Sequence, residues 1–323
     1  MLTEQLKVRY CDDEDLTIGL FSEPYFSERI RTYGHADKLA EYEAMVAEHG
    51  NEEYLKICRE TKQNIIEYIK STDEYTLLSD KDFNNTCNDM FPLRDEFSKT
   101  PKNEIYCDAR IGDRYISIDM VKGNFTTYVT IGKLMQFSNP FNNGEYDYEG
   151  FIGKFTDIDH LKRSRTVRQV TFGQCAPANI ARVERYLTSI MLSKLIDSGY
   201  IQVKDIMRTS DDEIVLRVTD NVMRNLDNIK RTVSEHDVPF AYQMYDIWKL
   251  NDTHAFLKNV VDGKNAGKLE IKGGLKIEKP SIYRFMSGEE PNKNDLVFYD
   301  SNVKRMAKLL RGFDISIVKE REM

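Results

Sequence analysis

The sequence lacks long hydrophobic runs: no apolar stretch approaches the roughly 18 residues that a transmembrane helix needs. Its first residues contain no apolar segment of the signal-peptide kind, so we expect an intracellular, cytoplasmic protein, with virion association as the alternative. Cysteine is scarce too. The five cysteines are scattered without CxxC spacing, which argues against a disulfide framework or a zinc site.

Excess positive charge is also absent. The chain carries 46 Lys and Arg against 53 Asp and Glu, a formal net charge of −7. A protein with this balance is no general polycation, so nucleic-acid binding would require a local basic patch. What the 323 residues do contain is 41% hydrophobic and 31% charged residues, which excludes a disordered chain and suffices for a substantial core.

The spacing of apolar residues predicts an α+β fold. Residues 37–70 have helical spacing interrupted at Gly50, which predicts a helical hairpin. Further on, the pattern predicts a strand at 114–120, a helix at 178–198 and a hairpin of two strands at 201–208 and 213–218. It then predicts a helix at 221–235, a strand at 240–250 and a β-rich segment onward to 277. A basic helix is predicted near 302–311. We divide the chain into a helical N-terminal region (1–104), a central region (105–274) and a small C-terminal region (275–323).

Two segments of the central region carry carboxylates at the ends of predicted strands. Asp119 lies near the end of the first strand, and Asp211 and Asp212 form the turn of the hairpin. Carboxylates from neighbouring strands make a cage of hard oxygen ligands, which suits Mg²⁺. Two such ions about 3.5–4 Å apart can activate a 3′-hydroxyl and stabilise a leaving pyrophosphate. We therefore predict that these three residues bind Mg²⁺ or Mn²⁺.

The order of the motifs resembles the palm of reverse transcriptases and related RNA-templated polymerases. That family has an Asp followed by a small residue and Phe, then a Gly-rich turn with Pro before a helix, then an Asp pair in a β-turn. The matching residues are Asp119, Gly123, Asn124 and Phe125, then Gly173, Gln174 and Pro177, then Asp211 and Asp212. The stretch His254–Lys258 resembles the primer-grip turn. The resemblance covers roughly 105–274, about half of the chain.

The resemblance implies a template-directed nucleotidyltransferase with a palm of antiparallel strands backed by helices, acting on an RNA or DNA template-primer and nucleoside triphosphates. Asp119 and Asp211 would hold the metals, with Asp212 supporting or sharing that role. Asn124 and Phe125 would lie beneath the sugar, and Gly173, Gln174 and Pro177 would shape the floor of the nucleotide site. Reverse transcription is favoured and RNA synthesis from RNA comes next, since Asn124 leaves the choice of sugar open.

A basic run supports nucleic-acid binding in an otherwise acidic chain. Positive side chains cluster just before Gly173, and one more lies in the primer-grip segment: Lys162, Arg163, Arg165, Arg168 and Lys258. Such residues contact backbone phosphates, although a solvated, salt-bridged surface has the same composition. Two other functions stay open: a catalytically inactive palm-like structural or assembly protein of a virus or mobile element, and a metal-dependent phosphodiesterase.

Overall fold

The computed structural model describes residues 2–14, 34–83, 89–93, 100–175, 179–250 and 253–275, a few isolated positions, and the backbone of three short strands within 297–316. The helices are α1 (Glu4–Asp13), α2 (Ala36–His49), α3 (Asn51–Lys70), α4 (Asp73–Ser79), α5 (Gly123–Leu134), α6 (Tyr148–Gly153), α7 (Asp159–Arg163), α8 (Arg165–Gln174), α9 (Ile180–Asp197), α10 (Asp220–Arg224) and α11 (Leu226–Ser234). The strands are β1 (Arg114–Met120), β2 (Ile206–Thr209), β3 (Glu213–Arg217), β4 (Phe240–Leu250), β5 (Ala255–Gly263), β6 (Leu269–Gly273), β7 (Val297–Asp300), β8 (Val303–Met306) and β9 (Ile315–Ser316). The predicted α+β class is confirmed.

The predicted helical hairpin is confirmed as α2 and α3. Gly50 separates the two helices with a φ of 82°, a left-handed backbone conformation that glycine adopts without steric cost. Each helix buries a single apolar stripe, with Leu39, Tyr42 and Val46 on α2. None of the helices in the described part of the chain combines the length and apolar character that crossing a bilayer requires.

The main sheet is antiparallel, with the strand order β2-β3-β1-β4-β5-β6, and β9 pairs with β4. The first four strands and their intervening helices form a β-α-β-β-α-β arrangement, in which β1 lies between β3 and β4. This register places Asp119 opposite Glu213 on one side and opposite Ala241 on the other. The end of β1 therefore lies in the middle of the sheet, beside the β2–β3 turn.

The predicted basic helix near 302–311 is wrong over residues 303–306, which form strand β8. Strand β8 pairs antiparallel with β7, whose sequence Val297-Phe298-Tyr299 is rich in strand-forming residues. Pairing with a neighbouring strand therefore outweighs the local helical pattern. Residues 307–311 lie outside the described part of the chain.

The two faces of the sheet differ. Ile116, Ile118 and Met120 of β1 point into a core that α5 and α9 cover, whereas Tyr115 joins a smaller cluster on the opposite face. Because side chains alternate along a strand, Asp119 shares the face of Tyr115, and it lies at the end of β1 where the chain passes into α5. The larger core is one connected cluster of buried side chains, whose members lie between Leu2 and Met244 in the sequence. The N-terminal helices and the sheet therefore share one core. The predicted boundary between an N-terminal region (1–104) and a central region (105–274) stays a prediction.

Candidate functional site

A polar pocket of about 410 Å³ opens where β1 passes into α5, and we call it the Asp119 pocket. Its walls come from the end of β1, the first turn of α5, helices α8 and α9, the β2–β3 turn and the turn after β5. Its ionisable side chains are three carboxyl groups and three basic groups: Asp119, Glu184, Asp212, Lys122, Arg168 and Lys264. The pocket thus combines both signs of charge at the point where the motifs of the central region meet.

The backbone turns sharply at the entry to α5. Lys122 has a φ of 54°, in the left-handed region, and Gly123 follows as the first residue of the helix. A Cβ atom at position 123 would lie 3.0 Å from Glu184 Oε1 and 3.7 Å from Asp212 Cβ. The small residue predicted here is therefore explained by the close approach of two carboxyl side chains to the backbone.

Asp119 is a largely buried carboxyl group, and no side-chain hydrogen bond to it is found within the described residues. Burial, and then the negative charges of Asp212 and Glu213, raise the pKa of Asp119 to about 7, although Lys264 and Lys258 act in the opposite direction. Desolvation and like charges both disfavour the ionised form. A cation placed between these carboxyl groups would remove that penalty.

The two neighbouring aspartates of the third motif occupy different surroundings. Asp212 lines the Asp119 pocket, and Ser210 Oγ donates to its Oδ1 at 3.2 Å. The carbonyl oxygen of Asp212 also accepts the Met120 N–H at 2.8 Å, which fixes the hairpin turn to the end of β1. The pocket therefore contains the predicted residues Asp119 and Asp212 together.

Asp211 points to helix α9 instead. Its Oδ1 lies 2.6 Å from Arg185 Nε, and its side chain is 44% exposed. Thr188 Oγ1 donates to the Asp211 carbonyl at 2.9 Å, which holds this orientation. Asp211 is not among the residues that line the pocket.

Sequence reasoning missed Glu184, a third carboxyl group in the pocket. It lies on α9, is 8% exposed, and has a pKa raised to about 8 by burial and by the charges of Asp212 and Asp211. The signal was present, because Glu184 interrupts the apolar stripe between Ile180 and Leu187. An acidic residue inside such a stripe is rarely buried without a functional or electrostatic reason.

Of the predicted phosphate-binding residues, Arg168 lines the Asp119 pocket. Lys162 instead pairs with Asp159 at 2.9 Å, and Arg163 with Glu149 at 3.4 Å. These two cations form ion pairs with neighbouring acids, as the alternative prediction of a solvated, salt-bridged surface requires. Arg165 begins helix α8.

Lys258 is buried within the sheet and only 6% exposed. Its Nζ donates to Gln243 Oε1 at 2.6 Å and lies 3.8 Å from Glu270 Oε2. Burial lowers the pKa of this lysine, although the charge of Glu270 raises it. The ammonium group therefore lies inside the protein, whereas the predicted contact with nucleic-acid phosphates requires it at the surface.

The first motif divides between surface and core. Asn124 lines the pocket from the first turn of α5, as the prediction for a sugar-contacting residue requires. Phe125 contributes to the pocket wall but is 1% exposed, and it packs edge-on against Tyr148 and Phe172. Phe125 therefore supports the pocket from below.

The second motif lies elsewhere. Gly173 and Gln174 form the end of α8 and do not line the Asp119 pocket, so the predicted turn is helical up to Gln174. Val167, Thr171 and Phe172 are buried on one side of α8, and this amphipathic spacing explains why the helix continues through Gly173. Pro177 lies outside the described residues.

The donor set of the Asp119 pocket fits a divalent cation in its chemistry, because carboxylate oxygens are the ligands that Mg²⁺ prefers. Within the described residues, however, no group of three or more His, Cys, Asp or Glu side chains is close enough to hold a metal ion. Asp119 and Asp212 both line the pocket and repel each other electrostatically, so we assign a shared ion to this pair. Glu184 lines the same pocket and is coupled to Asp212.

Comparisons of this chain with models of protein families, with curated proteins and with solved structures found no match.

Proposed function

We propose that this chain is a template-directed nucleotidyltransferase of the reverse-transcriptase-like type, which extends the 3′-hydroxyl of a nucleic acid with nucleoside triphosphates. The observation that carries the proposal is the Asp119 pocket, in which Asp119 of β1 and Asp212 of the β2–β3 turn share walls with basic side chains. A volume of about 410 Å³ suits a small polar ligand, and the mixture of charges suits a phosphorylated substrate with its cation.

In this proposal Asp119 and Asp212 hold Mg²⁺ or Mn²⁺, which when bound supplies positive charge to the triphosphate and to the attacking hydroxyl. Arg168 of α8 and Lys264 of the turn after β5 bind phosphate oxygens in the pocket. Asn124 donates to or accepts from the sugar, so an incoming ribose is not sterically rejected as it would be by an aromatic residue. RNA or DNA serves as template-primer, with reverse transcription favoured by the resemblance of the first motif.

The roles of the two neighbouring aspartates are where sequence and geometry differ. The resemblance gives the metal to Asp211, whereas the pocket favours Asp212, because Asp211 is paired with Arg185. An Asp211 ligand would require that ion pair to open. Exposed ion pairs contribute little stability, so this opening costs about 1 kcal/mol or less.

A non-catalytic palm-like protein is the second candidate. It is favoured by the Asp211–Arg185 ion pair and by the absence, in the described part of the chain, of a preassembled set of three metal ligands. Such a protein would keep the sheet and its core while the pocket carries out no reaction.

A primer-extension assay with Mg²⁺ or Mn²⁺ and labelled triphosphates tests the proposal. The purified protein is expected to lengthen the primer, whereas a phosphodiesterase would shorten it and an inactive protein would leave it unchanged. Template-primers of RNA and DNA, each with ribo- and deoxynucleotides, identify the template and the sugar preference.

Matched variants then assign the residues. Asp119→Asn and Asp212→Asn are expected to lower extension by roughly a thousandfold or more, because each removes a charge that the cation requires. Asp159→Asn, which changes a side chain of α7 that is 79% exposed, is the control and should retain full activity. Full activity in Asp119→Asn, with unchanged folding, would refute the assignment of the pocket.

A further inference from the structure

A second groove, of about 380 Å³, lies between helices α3 and α8, and we call it the α3–α8 groove. Its polar wall carries Arg59 and Lys62 of α3 and Gln174 of α8, and its floor is formed by Ile66 and Val170. It shares no lining residue with the Asp119 pocket. The groove is therefore a separate site on the N-terminal helical side of the molecule.

The charge of this groove is predominantly positive. Arg59 and Lys62 lie three residues apart on α3, on neighbouring positions of one helix face. Neither forms an ion pair with any residue that the structure describes. Glu60 is the one carboxylate among the described lining residues. In a chain with a net charge of −7, two adjacent cations that have no ion-pair partner among the described residues are an unbalanced arrangement.

A third cation lies behind them. Arg9 of α1 is buried, with 9% of its side chain exposed, and its Nε and Nη2 find no hydrogen-bond acceptor within the described residues. The carboxylate of Asp13 lies 4.0 Å from Arg9 Nε and already accepts hydrogen bonds from Ser164 Oγ and the Thr166 N–H. Burial, and then the charge of Arg9, lower the pKa of Lys62, so the two side chains are electrostatically coupled.

The groove also has an apolar surface beside these charged side chains. Ile66 is buried and Val170 is half-buried, so they form an apolar floor beside the cations. A phosphate attached to a flat, weakly polar ring would satisfy both parts, because oxyanions bind guanidinium and ammonium groups while rings pack on aliphatic side chains. The exposed amide of Gln174 can donate to the same ligand.

We propose that the α3–α8 groove is a second anion site, which binds a phosphate group through Arg59 and Lys62, with Gln174 as an additional donor. The phosphate belongs either to a free nucleotide or to the backbone of a nucleic-acid strand, because both present the same oxyanion. The site is independent of the proposed catalysis, since it uses none of the carboxyl groups of the Asp119 pocket.

Binding measurements on the full chain test this site in the absence of divalent cations. The probes are inorganic phosphate, ATP and a fluorescein-labelled oligothymidylate, titrated by calorimetry or by fluorescence anisotropy. The test variant is the double substitution Arg59→Gln with Lys62→Gln. The matched control is Lys56→Gln, which removes an exposed lysine of the same helix that pairs with Glu53.

Affinity for at least one probe is expected to fall by roughly tenfold for each cation removed, and to stay unchanged in Lys56→Gln. Loss of phosphate and ATP binding identifies a free nucleotide as the source. Loss confined to the oligothymidylate, with a salt slope reduced by about 1.4, identifies a strand, because each phosphate contact on a single strand contributes about 0.7 to the slope. Unchanged affinity for all three probes in the double variant, or no binding by the wild-type chain, would overturn the proposal.

A variant of the Asp119 pocket separates this proposal from the catalytic one. Asp212→Asn should leave probe binding at the α3–α8 groove intact, because Asp212 lines the Asp119 pocket and does not line the groove. A protein inactive in primer extension can still bind phosphate here. The two proposals thus succeed or fail on different measurements.

Discussion

Two buried carboxyl groups of this protein, Asp13 and Asp119, have opposite electrostatic surroundings. Asp13, at the end of α1, accepts hydrogen bonds from Ser164 Oγ at 2.7 Å and from the Thr166 N–H at 2.8 Å, and His160 Nε2 lies 3.1 Å away. Burial alone would raise the pKa of Asp13, but these partners lower it to about 2. Asp119 faces other carboxyl groups, and its pKa rises to about 7.

The difference separates a structural acid from a candidate functional one. Asp13 joins α1 to the start of α8, so its ionised form stabilises the native packing of the helices. Asp119 and Glu184 lack such donors within the described residues, and their mutual repulsion with Asp212 costs folding free energy. Acids that cost stability cluster at sites that bind a cation or a substrate, which is why we place the proposed function there.

The largest expected effect concerns stability against pH in the Asp119 pocket. Because the pKa of Glu184 is raised from 4.5 to about 8, its protonated form favours folding below the unfolded-state value, and this contribution is lost as the pH rises through about 8. Each pKa unit is worth about 1.4 kcal/mol. Urea unfolding between pH 5 and pH 9 should therefore show a marked loss of stability. Glu184→Gln should remove the part that Glu184 causes and leave the smaller part that Asp119 causes. An equally steep loss in the variant would contradict the assigned environment.

Addition of Mg²⁺ should reduce that loss of stability at high pH. A cation bound between Asp119 and Asp212 lowers the pKa values of the neighbouring carboxyl groups, and a ligand that binds only the folded state stabilises it. Millimolar MgCl₂ should raise the unfolding midpoint at pH 8 in the wild-type chain, and much less in Asp212→Asn. KCl at matched ionic strength is the control. An identical shift with both salts would speak against a specific cation site.

A smaller effect, of opposite sign in pH, is expected at Asp13. Its pKa is lowered from 3.8 to about 2, so its contribution is present above the unfolded value and is lost as the pH falls towards 2. Asp13→Asn should lower the free energy of unfolding by about 2 kcal/mol at pH 7. The difference between variant and wild type should shrink below pH 4. A constant difference down to pH 2 would show that the charge of Asp13 is not the cause.

The smallest effect on stability is expected at Asp211. Its ion pair with Arg185 joins two side chains that are 44% and 45% exposed, and such surface pairs contribute about 1 kcal/mol or less. Asp211→Asn should therefore change the free energy of unfolding only slightly, in measurements at low and at high salt. A loss of several kcal/mol would mean that the orientation of the β2–β3 turn depends on this pair.

The elements with strong local periodicity could be predicted from the sequence. Strands β1 and β4 match their predicted bounds, and the interruption at Gly50 correctly divides α2 from α3. In each case the apolar spacing and the buried face agree, so local and tertiary preferences favour the same structure. Helix α8 was missed because its sequence contains Gly173 and two arginines, and its helical state depends on packing against α1 and α3.

The candidate site could be predicted only in part. Asp119, Asn124 and Asp212 were predicted from motif order and Arg168 from the basic run, and the structure places all four in one pocket. Which member of the aspartate pair faces the pocket depends on the orientation of the β2–β3 turn and on Arg185, which lies far away in sequence. Spacing along the chain does not contain that information. Lys264 enters the pocket through a turn of the sheet for the same reason.

The contact of Asp13 with the start of α8 has a consequence for shortened versions of this protein. Helix α8 contributes Arg168 to one pocket and Gln174 to the other, so it is their common partition. A version beginning at α2 would leave the Thr166 amide and the Ser164 hydroxyl without their acceptor. Helix α1 therefore stabilises the start of α8, more than 150 residues further along the chain. Removing α1 would disturb the Asp119 pocket and the α3–α8 groove together.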